Sequence, residues 1–421
     1  MTIRPMRLPM LAALSLLTWC CATASAASAP IDLPTAIRLA LDQPGLRAAA
    51  HEVAASEAAL GQAGAWPNPA LEYLREGRQA GTRTTTVQIN QPIELGGKRR
   101  ARIELAEGAA ALARTDLAAR RQNARSDVIA AFYAVLVAQE RQQLAGSLID
   151  LARQGVLVAG KRVAAGKISP IDETKARLAA VDATAGLNQA SGELAIARTA
   201  LGALLGLPAD AIVLAAQQVE LPEMKPLPAL LAASADSVTV RRARRQLALQ
   251  VAQTDVERAA RIPDVTVSVG RQKEDEFQRR QSVVGLSVPL PLFNRNAGNL
   301  SAALRRTDRA QDELAAAELA VASDLALAWT RYDVARSEVA LLRQEVLPHA
   351  GSAYALTLKG FEYGKFSILD VLDAQRTLFQ SRDRHWNALR EAWRAYADIE
   401  RLAGAAGTTE QARTTEPGSH P

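Results

Sequence analysis

The sequence predicts a mainly α-helical chain built from long coiled-coil helices, with a smaller β part. Three observations carry this. Ala, Leu, Glu, Gln and Arg dominate, and they are strong helix formers. Aromatic residues make up only 4% of a 48% hydrophobic chain, so the apolar surface is that of slender helices rather than a bulky core. Short stretches of period-2 alternation interrupt the helical pattern at matching places in two halves of the chain.

In chain order, residues 1–26 read as a secretory signal. Arg4 and Arg7 open it, Leu8 to Cys21 form its apolar stretch, and Ala24-Ser25-Ala26 offers the cleavage site. A lipoprotein cut before Cys20 fits less well, because Trp19 stands where a small residue is expected. Both cysteines leave with the signal, so no disulfide framework is expected. The mature chain repeats itself at about 195 residues. Leu33-Pro34 returns as Leu227-Pro228, Trp66-Pro67-Asn68 as Ile262-Pro263-Asp264, and Gln91-Pro92-Ile93-Glu94-Leu95 as Val288-Pro289-Leu290-Pro291-Leu292. The division expected is a first repeat over 27–207, a Pro-rich linker over 208–226, a second repeat over 227–403, and a Gly/Thr/Ser/Pro tail over 404–421 too polar to pack.

Each repeat reads as helix, two strands, long helix, turn and returning helix. Pro34 to Ala63 has helical spacing, stopped by Pro67 and Pro69. Arg83 to Pro92 places Thr85, Val87, Ile89 and Gln91 on one face. Val265, Val267 and Val269 alternate with Thr266 and Ser268, as Val284, Leu286 and Val288 do with Gly285 and Ser287. Such segments suit a soluble hairpin, or membrane strands of about 9 to 11 residues; four per chain cannot close a barrel, so membrane strands would have to be pooled by several chains. A helix free of proline is expected from Lys98 to about Val158, roughly 90 Å long. A second is expected from Ala297 to Val346, stopped by Pro348. The returning helices carry 3-4 seams through Leu187, Ala190, Leu194, Ala197, Leu201 and Leu204, and through Trp386, Leu389, Trp393 and Tyr396. Between long and returning helices, Gly166 and Gly364 can supply helix-ending φ > 0. Ser169 and Ser367 can cap the next helix, with Asp172 and Asp370 near its positive end.

The ordered set resembles the TolC family of outer-membrane efflux channels over about Ile31 to Ala403. It comprises Leu33-Pro-Thr-Ala-Ile-Arg-Leu-Ala40, Ala65-Trp-Pro-Asn-Pro-Ala70 and the two turns. Gln91-Pro-Ile-Glu-Leu-Gly-Gly-Lys-Arg99 and Val288-Pro-Leu-Pro-Leu-Phe-Asn-Arg-Asn-Ala-Gly298 look most like the CzcC-type, heavy-metal branch. The resemblance implies a homotrimer whose helices form a periplasmic α-barrel and whose strands, four per chain, form a 12-stranded β-barrel in outer-membrane lipid. It implies a passive channel working with a periplasmic adaptor and an inner-membrane pump of the resistance-nodulation-division class, exporting divalent cations of the cobalt, zinc and cadmium kind. Drug efflux or type I secretion is the alternative cargo class.

Gly166, Lys167, Ser169, Asp172, Gly364, Lys365 and Ser367 match the adaptor-contacting tips. Asp370 and Asp373 match the acids of a periplasmic constriction; Lys175 replaces the second acid in the first repeat. Phe361 and Phe366 stand where TolC has a tyrosine and an arginine, implying an apolar constriction in place of a polar latch. For the same aspartates, helix capping by Asp370 and pairing of Asp373 with a neighbouring base is the plainer reading. A periplasmic coiled-coil adaptor is the alternative of another class; the paired strands in both halves argue against it.

The basic runs Lys98, Arg99, Arg100, Arg102 and Arg241, Arg242, Arg244, Arg245 read as solvated helix faces, the first with a second reading as contact with a barrel rim. Aromatic residues do not interleave with them, so no nucleic-acid partner is expected. His51, His349, His385 and His420 are scattered, so no metal site or cofactor is expected. No nucleophile elbow, phosphate loop or catalytic cysteine occurs, so no enzyme is expected.

Overall fold

A computed structural model describes residues 30–78, 82–215 and 220–404; the signal segment 1–26, both cysteines and residues 405–421 of the tail lie outside the described residues. The first helical stretch is two helices, α1 (Leu33–Leu41) and α2 (Pro44–Ala63). The single helix expected from Pro34 to Ala63 breaks because Pro44 has no N–H and holds Gln43 extended, at φ −69° and ψ 150°. Asp32 caps α1, its side chain accepting from the Thr35 N–H at 2.9 Å.

Then come β1 (Ala70–Glu76), β2 (Thr84–Ile93), α3 (Lys98–Ala164) and α4 (Pro170–Leu205). The second half repeats the order with α5 (Leu227–Ser234), α6 (Val238–Ala259), β3 (Val265–Glu274), β4 (Arg279–Ser287), α7 (Ala297–Leu341), α8 (Leu347–Glu362) and α9 (Ile368–Ala403). The helix α3 has 67 residues, a rod of about 100 Å. Pro348 does not stop the second long helix. A π turn over Leu342–Val346 widens the chain, the Leu347 N–H reaches back to the Leu342 carbonyl, and Pro348 enters as the first turn of α8. The extra residue gives the proline ring room where an α-helix would clash with the carbonyl four residues back.

The strands form one antiparallel sheet in the order β1-β2-β3-β4. The central pair, β2 with β3, joins the two halves, with Ile89 opposite Val269 and Gln91 opposite Val267. The core lies where the helices cross. Phe132, Val135, Leu201 and Ile212 are fully buried in one cluster, and Leu230, Leu325, Tyr332 and Ile399 in another. Tyr133 stacks on Trp393 with ring centroids 3.4 Å apart. Of the two seams, Ala190, Leu194, Leu201, Leu389 and Trp393 are buried, and Leu187, Ala197, Leu204, Trp386 and Tyr396 pack beside them. The Pro-rich connection is pinned: the Ile31 N–H donates to the Val213 carbonyl at 2.8 Å, the Tyr332 hydroxyl donates to the Pro222 carbonyl, and the Trp329 indole donates to the Lys225 carbonyl at 3.3 Å.

Candidate functional site: a two-faced sheet and two paired turns

Alternation gives the sheet two chemistries. One face carries Leu71, Tyr73, Val87, Ile89, Val269, Val284 and Leu286, all exposed despite being apolar. The opposite face carries Glu72, Gln88, Asn90, Ser268 and Gln272. There the Glu72 carboxylate accepts from Gln88 Nε2 at 2.8 Å and Asn90 Nδ2 at 2.7 Å. An apolar outer face over a polar inner one is the arrangement of a transmembrane barrel. Both outer strands, β1 and β4, keep an unpaired edge in the single chain, which closed barrels do not tolerate. Among the described residues no helix is long and apolar enough to cross a membrane.

In the first basic run only Arg100 stays on a solvated face; the other three cations have partners elsewhere in the fold. Lys98 Nζ pairs with Asp264 at 2.8 Å, and Asp264 also accepts from the Leu95 N–H at 3.2 Å. Arg99 donates to the Gly64 carbonyl at 2.7 Å and lies 5.1 Å over the Trp66 ring. Arg102 pairs with Glu94, and Arg100 with Glu104 on its own helix. Lys98, Arg99 and Arg102 clamp the segments that flank the strands, at Asp264, Gly64 and Glu94, to the start of α3. In the second run, Arg242 pairs with Asp116 at 2.6 Å and Arg244 with Glu318 at 3.1 Å, tying α6 to the long helices.

At the other end of the helices the two turns share one construction. The Gly166 N–H donates to the Val163 carbonyl at 2.9 Å and the Lys167 N–H to Arg162 at 2.8 Å; Gly364 and Lys365 repeat this on Phe361 and Gly360 at 2.9 and 2.8 Å. Gly166 and Gly364 sit at φ +65° and +74°, conformations that glycine adopts without strain. Ser169 accepts from the Ile171 N–H at 3.4 Å. Ser367 and Asp370 form a full capping box: the Ser367 N–H and hydroxyl donate to Asp370 Oδ2 at 2.8 Å each, and Ser367 Oγ accepts from the Asp370 N–H at 3.2 Å. The Ser367 N–H foremost, then its hydroxyl, holds the Asp370 carboxyl below its ordinary range.

The capping reading of Asp370 therefore holds. Asp373 is exposed three residues on, on the same side of α9. Asp172 lies 4.0 Å from Lys175. Lys167 and Lys365 are exposed at the turn apices. Phe366 is 47% exposed and lies across Gly360, where a Cβ would meet its ring at 2.2 Å. Phe361 is 2% exposed and packed with Ile368 and Val371, so its bulk supports the turn from within the chain. Sequence reading missed Arg162, which donates to the Phe361 carbonyl at 2.8 Å and lies 4.4 Å over the Phe361 ring, joining the two turns. Its partner is about 200 residues away in sequence, and no local pattern marks it.

A sheet apolar outside and polar inside, open at both edges and carried on rods about 100 Å long, defines one subunit of an outer-membrane channel with a helical body in the periplasm. The chain belongs to the outer membrane efflux protein family, whose model matches residues 37–207 and 229–405. It is 43% identical over 380 residues to the cobalt-zinc-cadmium resistance protein CzcC of Cupriavidus metallidurans, covering 90% of this chain and 91% of that one. Solved structures that share its fold include two outer-membrane proteins. The outer-membrane channel OprN has a TM-score of 0.75 at 20% identity, covering 88% of this chain and 89% of that one. The outer membrane protein VceC of Vibrio cholerae has a TM-score of 0.73 at 20% identity, covering 89% and 96%. The TolC-type fold thus holds: a four-stranded sheet carried on long paired helices. The protein is a channel and not an enzyme, and the adaptor alternative is set aside.

Proposed function

We propose that this chain is the passive outer-membrane channel of a tripartite heavy-metal efflux system, exporting divalent cations of the cobalt, zinc and cadmium class that an inner-membrane resistance-nodulation-division pump and a periplasmic adaptor deliver. The observation that carries the reading is 43% identity, across nine tenths of both chains, to a cobalt-zinc-cadmium resistance protein. The duplicated order of elements supports reading 27–207 and 227–403 as two copies of one unit joined by 208–226. In this proposal the two turns are the adaptor contacts, through Lys167 and Lys365 at the apices and through Gly166, Gly364, Ser169, Ser367 and Asp172, which shape the surface beneath. Asp370 and Asp373, repeated by three copies, form an acidic periplasmic constriction that concentrates cations. Phe366 borders it and Phe361 backs it.

Deleting the gene in a strain without other metal pumps should sensitise it to cobalt, zinc and cadmium, and the intact gene should restore growth. Unchanged resistance would sink the cargo assignment. For the constriction, Asp373→Asn is the cleaner variant because Asp370 also caps a helix. It should lower the cation-to-anion permeability ratio in planar bilayers, and an unchanged ratio refutes its role.

A further inference from the structure

We propose that the outward face of the sheet holds a phosphorylated acyl lipid of the surrounding membrane in a built site formed by Arg271, Lys273 and Arg280 above the apolar band. This rests on the reading of the sheet as a wall of a membrane barrel. The register lays the face out in rows. Arg75, Thr85, Lys273 and Arg280 form the row nearest the β3–β4 turn. Tyr73, Val87, Arg271 and Ser282 form the next, and Leu71, Ile89, Val269 and Val284 the third. The sheet's twist bends these rows into a hollow of about 730 Å³ lined by Val87, Ile89, Val269, Arg271, Lys273 and Arg280. The end at Leu71, Ile89 and Val269 is apolar and the other is cationic.

The cationic end is unfavourable as it stands. Lys273 sits directly across from Arg280, a like-charge pair that destabilises a ladder, and Arg271 is two residues along the same face. Among the described residues the acid paired with this group is Asp275, 2.7 Å from Lys273, so there one carboxylate faces three cations and a fourth, Arg75, in the same row. A lipid phosphate resolves the conflict. It accepts charge-assisted, bidentate bonds from the guanidinium groups, while its acyl chains run down the valine and isoleucine rows, which lie about 7 Å apart along the strands. A cationic collar at the end of an apolar band is also where a headgroup layer would sit. A free anion would satisfy the cations and leave the apolar end of the hollow uncovered, which is why we assign the site to a lipid.

The test uses the full-length channel purified from outer membranes in mild detergent, delipidated and titrated with bisphosphorylated lipid A. Bound lipid is read by native mass spectrometry, with oligomer mass and single-channel conductance measured alongside. The channel should hold bisphosphorylated lipid A roughly tenfold or more tighter than dephosphorylated lipid A. Arg271→Gln with Lys273→Gln and Arg280→Gln should erase that preference while leaving mass and conductance unchanged. Equal affinity for the two lipids, or a triple variant that keeps the preference, overturns the proposal. So does release of lipid A by millimolar inorganic phosphate, which would make this a site for small anions. If the triple variant does not assemble, the two-lipid comparison on the unaltered channel decides the matter. A channel that conducts but shows no preference refutes this site alone, whereas absence of any conductance removes the channel reading itself.

Discussion

Arg162 holds the two turns together with one charged hydrogen bond and one cation–π contact, both on Phe361. Arg162→Ala should lower the thermal midpoint and increase spontaneous opening in single-channel records, through loss of an interaction of about 1.5–3 kcal/mol. Glu400 is 4% exposed and paired with Arg125 at 2.8 Å. Removing only the base strands a buried charge, so Arg125→Ala should cost about 3–5 kcal/mol, and adding Glu400→Gln should restore much of it. A double-mutant cycle in denaturant would measure both. Burial first, and the nearby Arg343 second, hold His385 below its ordinary value. The folded protein resists that proton, so the stability His385 supplies is complete above about pH 6.5 and is lost as pH falls. The thermal midpoint should drop between pH 7.5 and 5.5 by more than in His385→Asn. The Asp370 cap has its own, lower window: present above about pH 4 and lost beneath it.

At the scale of elements, the seam of α4 packs against α3 through small and branched residues. Leu194→Ala, at a position 3% exposed, should destabilise by about 2–5 kcal/mol in equilibrium unfolding. That seam was legible because a 3-4 spacing has one physical meaning, and so were the serine caps and the strand alternation around Val87 and Val269. Other features were not. The strand β3 continues through Arg271 to Glu274, where alternation turns polar on both faces and hydrophobic pattern gives no signal. The π turn at Leu342 needs knowledge of how the helix absorbs Pro348, and proline alone reads as a stop. Lys98, Arg99 and Arg102 read as a wet face because their partners Asp264, Gly64 and Glu94 are brought to them only by the sheet. The tip residues were legible as turn chemistry; the burial of Phe361 was not, since Ile368 and Val371 cover it only after the chain reverses.

At the scale of the whole molecule, a trimer should appear as three times the chain mass in native mass spectrometry, with an ohmic, cation-preferring conductance in bilayers. A monomer that conducts would contradict the pooled sheet. The free edges of β1 and β4 also bear on inheritance. Each chain offers its neighbour two unlike edges, and the ring closes only if every β1 meets a β4. A chain whose β1 edge is spoiled but whose β4 edge is sound can still join, and the ring it joins stays open. Such an allele should be dominant: co-expressed beside the intact gene, it should erode metal resistance by more than its share of the chains made.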